Sequence, residues 1–276
     1  MNLWNIFVAF VLGIVEGLTE FAPVSSTGHM ILVDGMFLHS DKLFSKEVAN
    51  TFKVVIQLGS ILAVVIVFKE RFMNLLGLKK DHSEGAEQGH KLNLKHVIVG
   101  MMPAAVLGLL FNGYIDEHLF SPETAVIGLA AGGLLMIFAD WFRPSRAKVK
   151  TVDQITYKHA IGIGLFQCIA LWPGFSRSGS TMSGGVLMGL GHRAAADFTF
   201  IMAVPVMFGA SALSLVKHWS SFTMDSLPFF VVGFISAFIF ALVSIRFFLQ
   251  LINKIKLVPF GIYRIVLAAI IYFFFL

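Results

Sequence analysis

Cysteine and charged residues are both scarce in this sequence. A single cysteine, Cys168, occurs among 276 residues, which excludes an internal disulfide and a metal site built from several thiolates. Only 13% of the residues are charged and 57% are hydrophobic, whereas about a quarter of the residues in soluble domains are charged. The mean hydropathy of +0.82 agrees with this composition. The sequence therefore predicts an integral membrane protein.

The start of the sequence does not show the pattern of a cleavable signal peptide. The first apolar run, residues 3–15, leads directly into Glu16 without a small-residue cleavage site, so we expect the N-terminus to be retained. The net charge of +5 could indicate nucleic acid as a partner. However, the basic residues lie in short loops between apolar runs, where membrane orientation explains them better. No nucleic acid is expected as a partner.

Six apolar runs are long enough to be membrane spans, since a helix needs about 20 residues to cross roughly 30 Å of hydrocarbon. They cover residues 48–68, 97–113, 124–142, 198–216, 227–245 and 257–276.

Two further apolar stretches, 3–35 and 159–191, are interrupted by turns rich in Pro, Gly and Ser. The turns read FAPVSSTGH and WPGFSRSGS. Irregular backbone at membrane depth is tolerated only where protein or a water-filled cavity satisfies its polar groups. Each stretch is therefore predicted to be a re-entrant hairpin of two half-helices.

The two interrupted stretches align with each other along the chain, with Gln167 at the place of Glu16. The identical pairs are Gly13 with Gly164, Ser25 with Ser176, and Gly28 with Gly179. Each half then continues with three spans, so the two copies are separated by an odd number of crossings and must insert upside down. We therefore predict an all-α integral membrane protein with six transmembrane helices and two re-entrant hairpins. It forms a single membrane domain, 1–276, with inverted repeats at 1–142 and 159–276.

Basic residues are unevenly distributed among the loops. Loops 69–95, 143–158 and 246–256 hold six, five and three Lys or Arg, whereas 217–226 holds only Lys217. Basic loops favour the cytoplasm, which places the first hairpin on the outer side, the second on the inner side and the C-terminus outside. The Gly-rich, mixed-charge loop 79–91 is interpreted as a solvated linker.

Glu16 and Glu20 are spaced four residues apart, so on a helix they share one face. Two like charges inside a membrane protein need compensation, and a hard cation such as Mg²⁺ or Ca²⁺, or a shared proton, would supply it. The alternative is a pair exposed to water at the membrane interface.

The motif PVSSTGH follows these acids, and in it Pro23 is expected to stop the half-helix. Its hydroxyls lie where a new half-helix can begin with free N–H groups directed at an anion. His29 lies three positions after Ser26, a spacing at which an imidazole could take the serine proton. A lone Ser-x-x-His is more often structural, but its position between two acids and a helix break favours a functional role.

The second turn contributes Arg177, whose guanidinium fork suits phosphate oxygens. A lone arginine at a membrane interface usually reaches for lipid headgroups, but this one lies between two half-helices, and the repeat places it opposite Ser26. Carboxylates, hydroxyl, imidazole and guanidinium in one pocket match the requirements of phosphoryl transfer. A phosphate ester is the substrate class that this chemistry favours. Weaker candidates are Lys53, Gln57 and Arg264, the last being either a structural pair or a substrate contact.

With these motifs the sequence resembles the undecaprenyl-diphosphate phosphatase (UppP/BacA) family of bacterial membrane enzymes linked to bacitracin resistance. The resemblance rests on EGLTEFAPVSSTGHM with its E-x-x-x-E pattern, on ALWPGFSRSGSTMSGG with its P-G-x-S-R-S-x-x-T pattern, and on VVIQLGSILAVV. It implies hydrolysis of undecaprenyl diphosphate to the monophosphate and inorganic phosphate, which recycles the lipid carrier of cell-wall synthesis. It also implies a divalent cation, and an active site open to the periplasmic or outer face of the bacterial cytoplasmic membrane.

The resemblance also implies residue roles. Glu16 and Glu20 would bind metal or shuttle protons, Ser26 would attack the terminal phosphorus, and His29 would activate Ser26. His29 as the nucleophile is the alternative, and Ser26 is preferred because it lies at the start of the half-helix. Arg177 would hold the diphosphate, and the remaining candidates for substrate binding are Thr27, Gln167, Gly174, Ser176, Ser178 and Thr181.

A polyprenyl-lipid flippase or an ion-coupled transporter is the main rival interpretation, since inverted repeats with broken helices are typical of transporters. A membrane scaffold is the third, but it gives no reason for acids and an arginine at helix breaks. The oligomeric state is left open.

Overall fold

The computed structural model describes residues 3–43, 46–78, 91–119, 121–217, 219 and 224–276. Apart from Lys91, the predicted linker 79–91 lies outside these residues. The described part of the chain is helical and includes one isolated bridge between Val149 and Leu190. In chain order the α-helices are α1 (Leu3–Thr19), α2 (Ser26–Val33), α3 (Ser40–Leu43), α4 (Lys46–Val67), α5 (Lys69–Leu75), α6 (Leu94–His118), α7 (Pro122–Phe142), α8 (Tyr157–Ile169), α9 (Arg177–Leu187), α10 (His192–Lys217), α11 (Leu227–Ile255) and α12 (Val258–Phe275).

Six of these helices, α4, α6, α7, α10, α11 and α12, are long and apolar enough to cross a membrane. The predicted all-α, multi-pass architecture is thereby confirmed. The main difference in length is at α11, which continues about ten residues beyond the predicted end at 245. The apolar run pauses at Arg246, but good helix formers follow, and the helix stops only before Lys256, where φ is 58°.

Local sequence specifies where several helices start. Ser121 caps α7 by accepting a hydrogen bond from the Thr124 N–H, and Pro122 occupies the first turn, where its missing N–H costs nothing. Thr156 caps α8 in the same way by accepting from the His159 N–H.

Both interrupted stretches form two helices separated by a turn. The first comprises α1 and α2, and the second α8 and α9. Helix α1 ends at Thr19 and α8 ends at Ile169. In a continued helix, the N–H groups of residues 23 and 173 would donate hydrogen bonds to the carbonyls of Thr19 and Ile169. Both positions are proline, which has no N–H to donate. Each proline therefore stops its helix four residues ahead of itself.

Close helix contacts hold the two interrupted stretches in place. Helix α1 packs along α11, and α8 packs along α6. A Cβ at Gly13 would lie 2.5 Å from the Gly233 carbonyl oxygen, and one at Gly164 would lie 2.2 Å from that of Gly100. Small residues at membrane helix interfaces allow such backbone approach. Both interrupted stretches are therefore held against long helices on each side.

Candidate active site

The two turns have the same local geometry at the start of α2 and α9. Ser25 has φ of 72° and Ser176 has φ of 69°, although non-glycine residues rarely adopt positive φ. Each serine hydroxyl accepts a hydrogen bond from a glycine N–H, Gly28 at 3.3 Å and Gly179 at 3.2 Å. Both half-helices thus begin with a capping serine in an unusual backbone conformation.

The turns are in direct contact through an ion pair. Arg177 Nη2 lies 2.7 Å from Glu20 Oε1, and the two side chains are 15% and 8% exposed. The Ser178 hydroxyl also donates to the Ala22 carbonyl oxygen at 3.2 Å. The structure thus brings together an acid from the first turn and the guanidinium from the second.

Ser26 completes this arrangement. Its hydroxyl donates to Glu20 Oε2 at 2.6 Å, which leaves the other carboxylate oxygen for Arg177. Ser26 is the first residue of α2 and Arg177 is the first residue of α9. Glu20 therefore sits between the N-terminal ends of two half-helices, where unpaired N–H groups and helix dipoles favour negative charge.

A polar cavity of about 230 Å³ opens beside this cluster. Besides Glu20, Ser26 and Arg177, it is lined by polar or turn residues from both hairpins and from α4, namely Ser25, Thr27, Gln57, Trp172, Pro173, Gly174 and Ser176. Nη1 of Arg177 is buried and has no hydrogen-bond partner in the described structure. The site thus offers a hydroxyl next to a carboxylate, and a guanidinium N–H without an acceptor.

His29 faces away from this cavity. Its Nδ1 lies 2.8 Å from the Ser25 carbonyl oxygen and its Nε2 lies 2.7 Å from the Tyr263 hydroxyl. Because a carbonyl only accepts, Nδ1 carries the proton, and in the neutral ring Nε2 accepts from Tyr263. The ring lines a separate apolar groove of about 480 Å³. The structure thus pairs Ser26 with Glu20, while His29 is paired with Tyr263.

The predicted substrate-binding residues divide into two groups. Thr27, Gly174 and Ser176 line the polar cavity. Ser178 and Thr181 are buried and take part in packing, Thr181 by donating to the Arg177 carbonyl oxygen at 2.8 Å. Gln167 is 3% exposed, and both polar atoms of its amide lack partners among the described residues.

Glu16 lies one helical turn before Glu20 and is 4% exposed. It interacts electrostatically with Glu20 and Arg177, and its Oε1 has no hydrogen-bond partner in the described part of the chain. Across those same residues there is no group of three or more His, Cys, Asp or Glu able to hold a metal ion. A divalent cation would thus depend on this pair of carboxylates.

The weaker candidates are also placed. Gln57 lines the polar cavity. Lys53 instead forms an ion pair with Asp34, at 3.0 Å, and Asp34 also accepts hydrogen bonds from the N–H and hydroxyl of Ser40. Lys53 therefore ties the end of the first hairpin to α4.

Two neighbouring residues of α12 contact both turns, and the sequence did not reveal this. The Tyr263 hydroxyl forms a hydrogen bond with His29 Nε2. Arg264 donates hydrogen bonds to the carbonyl oxygens of Gly174 at 3.0 Å and Phe175 at 2.8 Å. An arginine inside a span was the available signal. It was expected to form a structural pair or to contact the substrate, whereas the observed acceptors are backbone carbonyls.

The fold and the site together define a multi-pass membrane protein with a buried polar cavity between two interrupted helices, equipped with a hydroxyl, a carboxylate and a guanidinium. The chain belongs to the bacitracin resistance protein BacA family, whose model matches residues 9–270. The predicted family resemblance is thereby confirmed.

Relatives cover the chain from end to end. The undecaprenyl-diphosphatase of Bacillus subtilis (strain 168) is 66% identical over 271 residues, which are 98% of each chain. That of Geobacillus sp. (strain WCH70) is 66% identical over 272 residues, 99% of this chain and 98% of the relative. Undecaprenyl-diphosphatase 2 of Bacillus licheniformis is 63% identical over 276 residues, all of both chains.

Proposed function

We propose that this protein hydrolyses undecaprenyl diphosphate to undecaprenyl phosphate and inorganic phosphate, and so recycles the lipid carrier of cell-wall synthesis. Family membership and relatives named undecaprenyl-diphosphatase over the full chain support this function. The observation that carries it in the structure is Glu20 held between the Ser26 hydroxyl and the Arg177 guanidinium. The rival transporter interpretation is not favoured by these comparisons.

The geometry supports Ser26 as the nucleophile. As its oxygen bonds to the terminal phosphorus, its proton passes to Glu20 Oε2, the acceptor it already contacts at 2.6 Å. The bond between the terminal phosphorus and the bridging oxygen breaks, and undecaprenyl phosphate leaves. Water then hydrolyses the phosphoserine and releases inorganic phosphate. The guanidinium of Arg177, which lines the cavity, and the N–H groups at the starts of α2 and α9 would stabilise the charge on the phosphoryl oxygens.

We further propose a divalent cation, Mg²⁺ or Ca²⁺, at Glu16 and Glu20. Mg²⁺ is commonly held by one or two carboxylates together with substrate phosphates, and the unpartnered Glu16 Oε1 fits such a donor set. When bound, the cation would neutralise charge on the diphosphate. Glu16→Gln should raise the Mg²⁺ concentration needed for half-maximal activity by about tenfold. An unchanged Mg²⁺ requirement in a metal titration would contradict this assignment.

The protein is a multi-pass membrane protein, and we propose the bacterial cytoplasmic membrane with the site facing the outer side. The basic loops support this orientation.

The inverted repeat is likewise proposed. It is supported by the matched caps at Ser25 and Ser176 and by the corresponding packing of α1 on α11 and α8 on α6.

The function is tested with the purified full-length protein in detergent, given undecaprenyl diphosphate and Mg²⁺. Phosphate release should fall at least about 100-fold in Ser26→Ala and Arg177→Ala, because each removes a group that acts on the phosphoryl centre. His29→Ala should also lose activity. Two exposed residues provide the controls, Arg146 in a loop and His118 in α6. Arg146→Ala and His118→Ala should keep the wild-type rate of phosphate release. Full activity in all three site variants would refute the site.

A further inference from the structure

Helix α12 places two consecutive side chains against the two turns. The Tyr263 hydroxyl contacts His29 of the first hairpin, and Arg264 Nη2 contacts the carbonyl oxygens of Gly174 and Phe175 in the second. These two carbonyls come directly before Ser176 and Arg177 in the chain. Helix α12 thus contacts residues of both interrupted stretches.

Arg264 is fully buried, with 0% exposure. No carboxylate of the described chain forms an ion pair with it, its Nε has no partner, and its remaining contacts are the Gly128 carbonyl oxygen and the Met136 sulfur, both at 3.4 Å. A buried charge of this kind is costly, and an apolar side chain would usually stabilise such a position better. Stability alone therefore does not account for the arginine.

The surrounding backbone leaves room for this guanidinium. A Cβ on Gly132 would lie 2.2 Å from Arg264 Nη2, and a Cβ on Gly179 would lie 2.8 Å from Nη1. Gly179 also donates its N–H to the capping Ser176 hydroxyl. The guanidinium is thus fitted directly behind the first turn of α9.

We propose that Arg264 is a positioning residue for Arg177, and this rests on the proposed function of the same site. By holding the carbonyls of Gly174 and Phe175, it fixes the turn in which Gly174 has φ of 84° and Ser176 has φ of 69°. That turn directs Arg177 toward Glu20 and the cavity.

The test uses full-length Arg264→Met and Arg264→Lys in detergent, with undecaprenyl diphosphate and Mg²⁺. We expect Arg264→Met to lower kcat about 100-fold, because a small misplacement of a site residue has an effect of this size. KM should also rise, because a displaced Arg177 holds the diphosphate less tightly before the reaction. Arg264→Lys should recover part of the loss, since an ammonium keeps the charge and can still donate to a carbonyl, although without the planar fork.

The matched control is Ile271→Ala, a fully buried position in the same helix that packs beside Val126 and Leu129. This variant should lower Tm through a cavity and keep kcat within about twofold of the wild type, since Ile271 lies about two helical turns beyond Arg264 and does not line the polar cavity. If Arg264→Met loses no more activity than Ile271→Ala at a matched drop in Tm, the residue is merely structural and the proposal is overturned.

A second readout does not depend on turnover. Pyrophosphate should raise the Tm of the wild type and of Ile271→Ala, but not that of Arg264→Met, because a ligand that binds only the folded state stabilises it. A wild type that binds pyrophosphate but releases no phosphate would refute the proposed function alone. Equal pyrophosphate stabilisation of Arg264→Met and the wild type would refute the positioning role alone.

Discussion

Glu20 connects the two halves of the site because each of its oxygens accepts from a different half-helix. Ser26 and Arg177 occupy equivalent first positions of α2 and α9, so one carboxylate orients both the proposed nucleophile and the guanidinium proposed to hold the phosphate. Charge-assisted hydrogen bonds are shorter and stronger than neutral ones, and the observed distances of 2.6 and 2.7 Å are of this kind. Small movements of Glu20 should therefore disturb both partners together.

At this scale the position of the covalent intermediate can be tested. We expect rapid acid quenching during turnover to trap phosphate on Ser26, because its oxygen faces the cavity and is bonded to Glu20. His29→Ala should retain the trapped phosphoserine while turning over more slowly, since its ring bonds Tyr263 and the Ser25 carbonyl. Mass spectrometry of the modified peptide locates the phosphate. A parallel sample of Ser26→Ala is quenched in base, where phosphohistidine survives, and phosphate found on His29 there would contradict the assignment.

At the scale of the elements, the interrupted helices show how a short motif fixes a long-range contact. The two prolines end α1 and α8, a serine cap starts each following helix, and glycines let the backbones meet. Gly174 is the tightest of these points, since a Cβ there would lie 2.0 Å from the Ala125 carbonyl oxygen. The second turn is thus seated directly on α7.

Gly174→Ala should be strongly destabilising for two reasons, a positive φ of 84° and overlap with the Ala125 backbone. The matched control is Gly189→Ala, where φ is 93° but the nearest atom to the new Cβ is 3.7 Å away. We expect the control to lose about 1 kcal/mol from the backbone conformation, and Gly174→Ala to lose several times more. Equal Tm values for the two variants in detergent would show that the close contact does not matter.

The spans and the two turns could be predicted from the sequence, because they depend on local features of the chain. The six apolar runs predicted the spans. The two Pro-containing breaks predicted the turns, as did matches between the two interrupted stretches such as Ser25 with Ser176, because proline acts on the backbone within a few residues. The partners of His29 and Arg264 were not predictable in this way. Both contacts depend on how α12 packs against helices far away in the chain, and a side chain with several possible acceptors does not reveal which one it meets.

At the scale of the whole molecule, the site lies where the two interrupted stretches meet. Long helices enclose both interrupted stretches, with α12 against α7 on one side and α4 against α10 and α11 on the other. Gly133 and Gly261 allow α7 and α12 to approach closely. A Cβ added to either glycine would lie 2.7 Å from the carbonyl oxygen of the other. The helix that carries Tyr263 and Arg264 is therefore closely packed against the one beneath the second turn.

Orientation is testable because the chain has a single cysteine. In a Cys168→Ala background, Arg146→Cys should be labelled by a membrane-impermeant thiol reagent only after the cells are opened, because its loop is among the most basic. Leu276→Cys should be labelled in intact cells. Labelling of Arg146→Cys in intact cells would reverse the proposed sidedness, and with it the outward-facing site.

The volume of the polar cavity limits how much of a ligand it can enclose. Its volume of about 230 Å³ is below the roughly 300–1,000 Å³ of pockets that enclose drug-sized ligands. The proposed reaction attacks a terminal phosphate group, and a diphosphate that still carries a sugar offers none. The lipid would thus become a substrate only after its glycan has been handed over, and loaded intermediates of wall assembly would pass the enzyme intact.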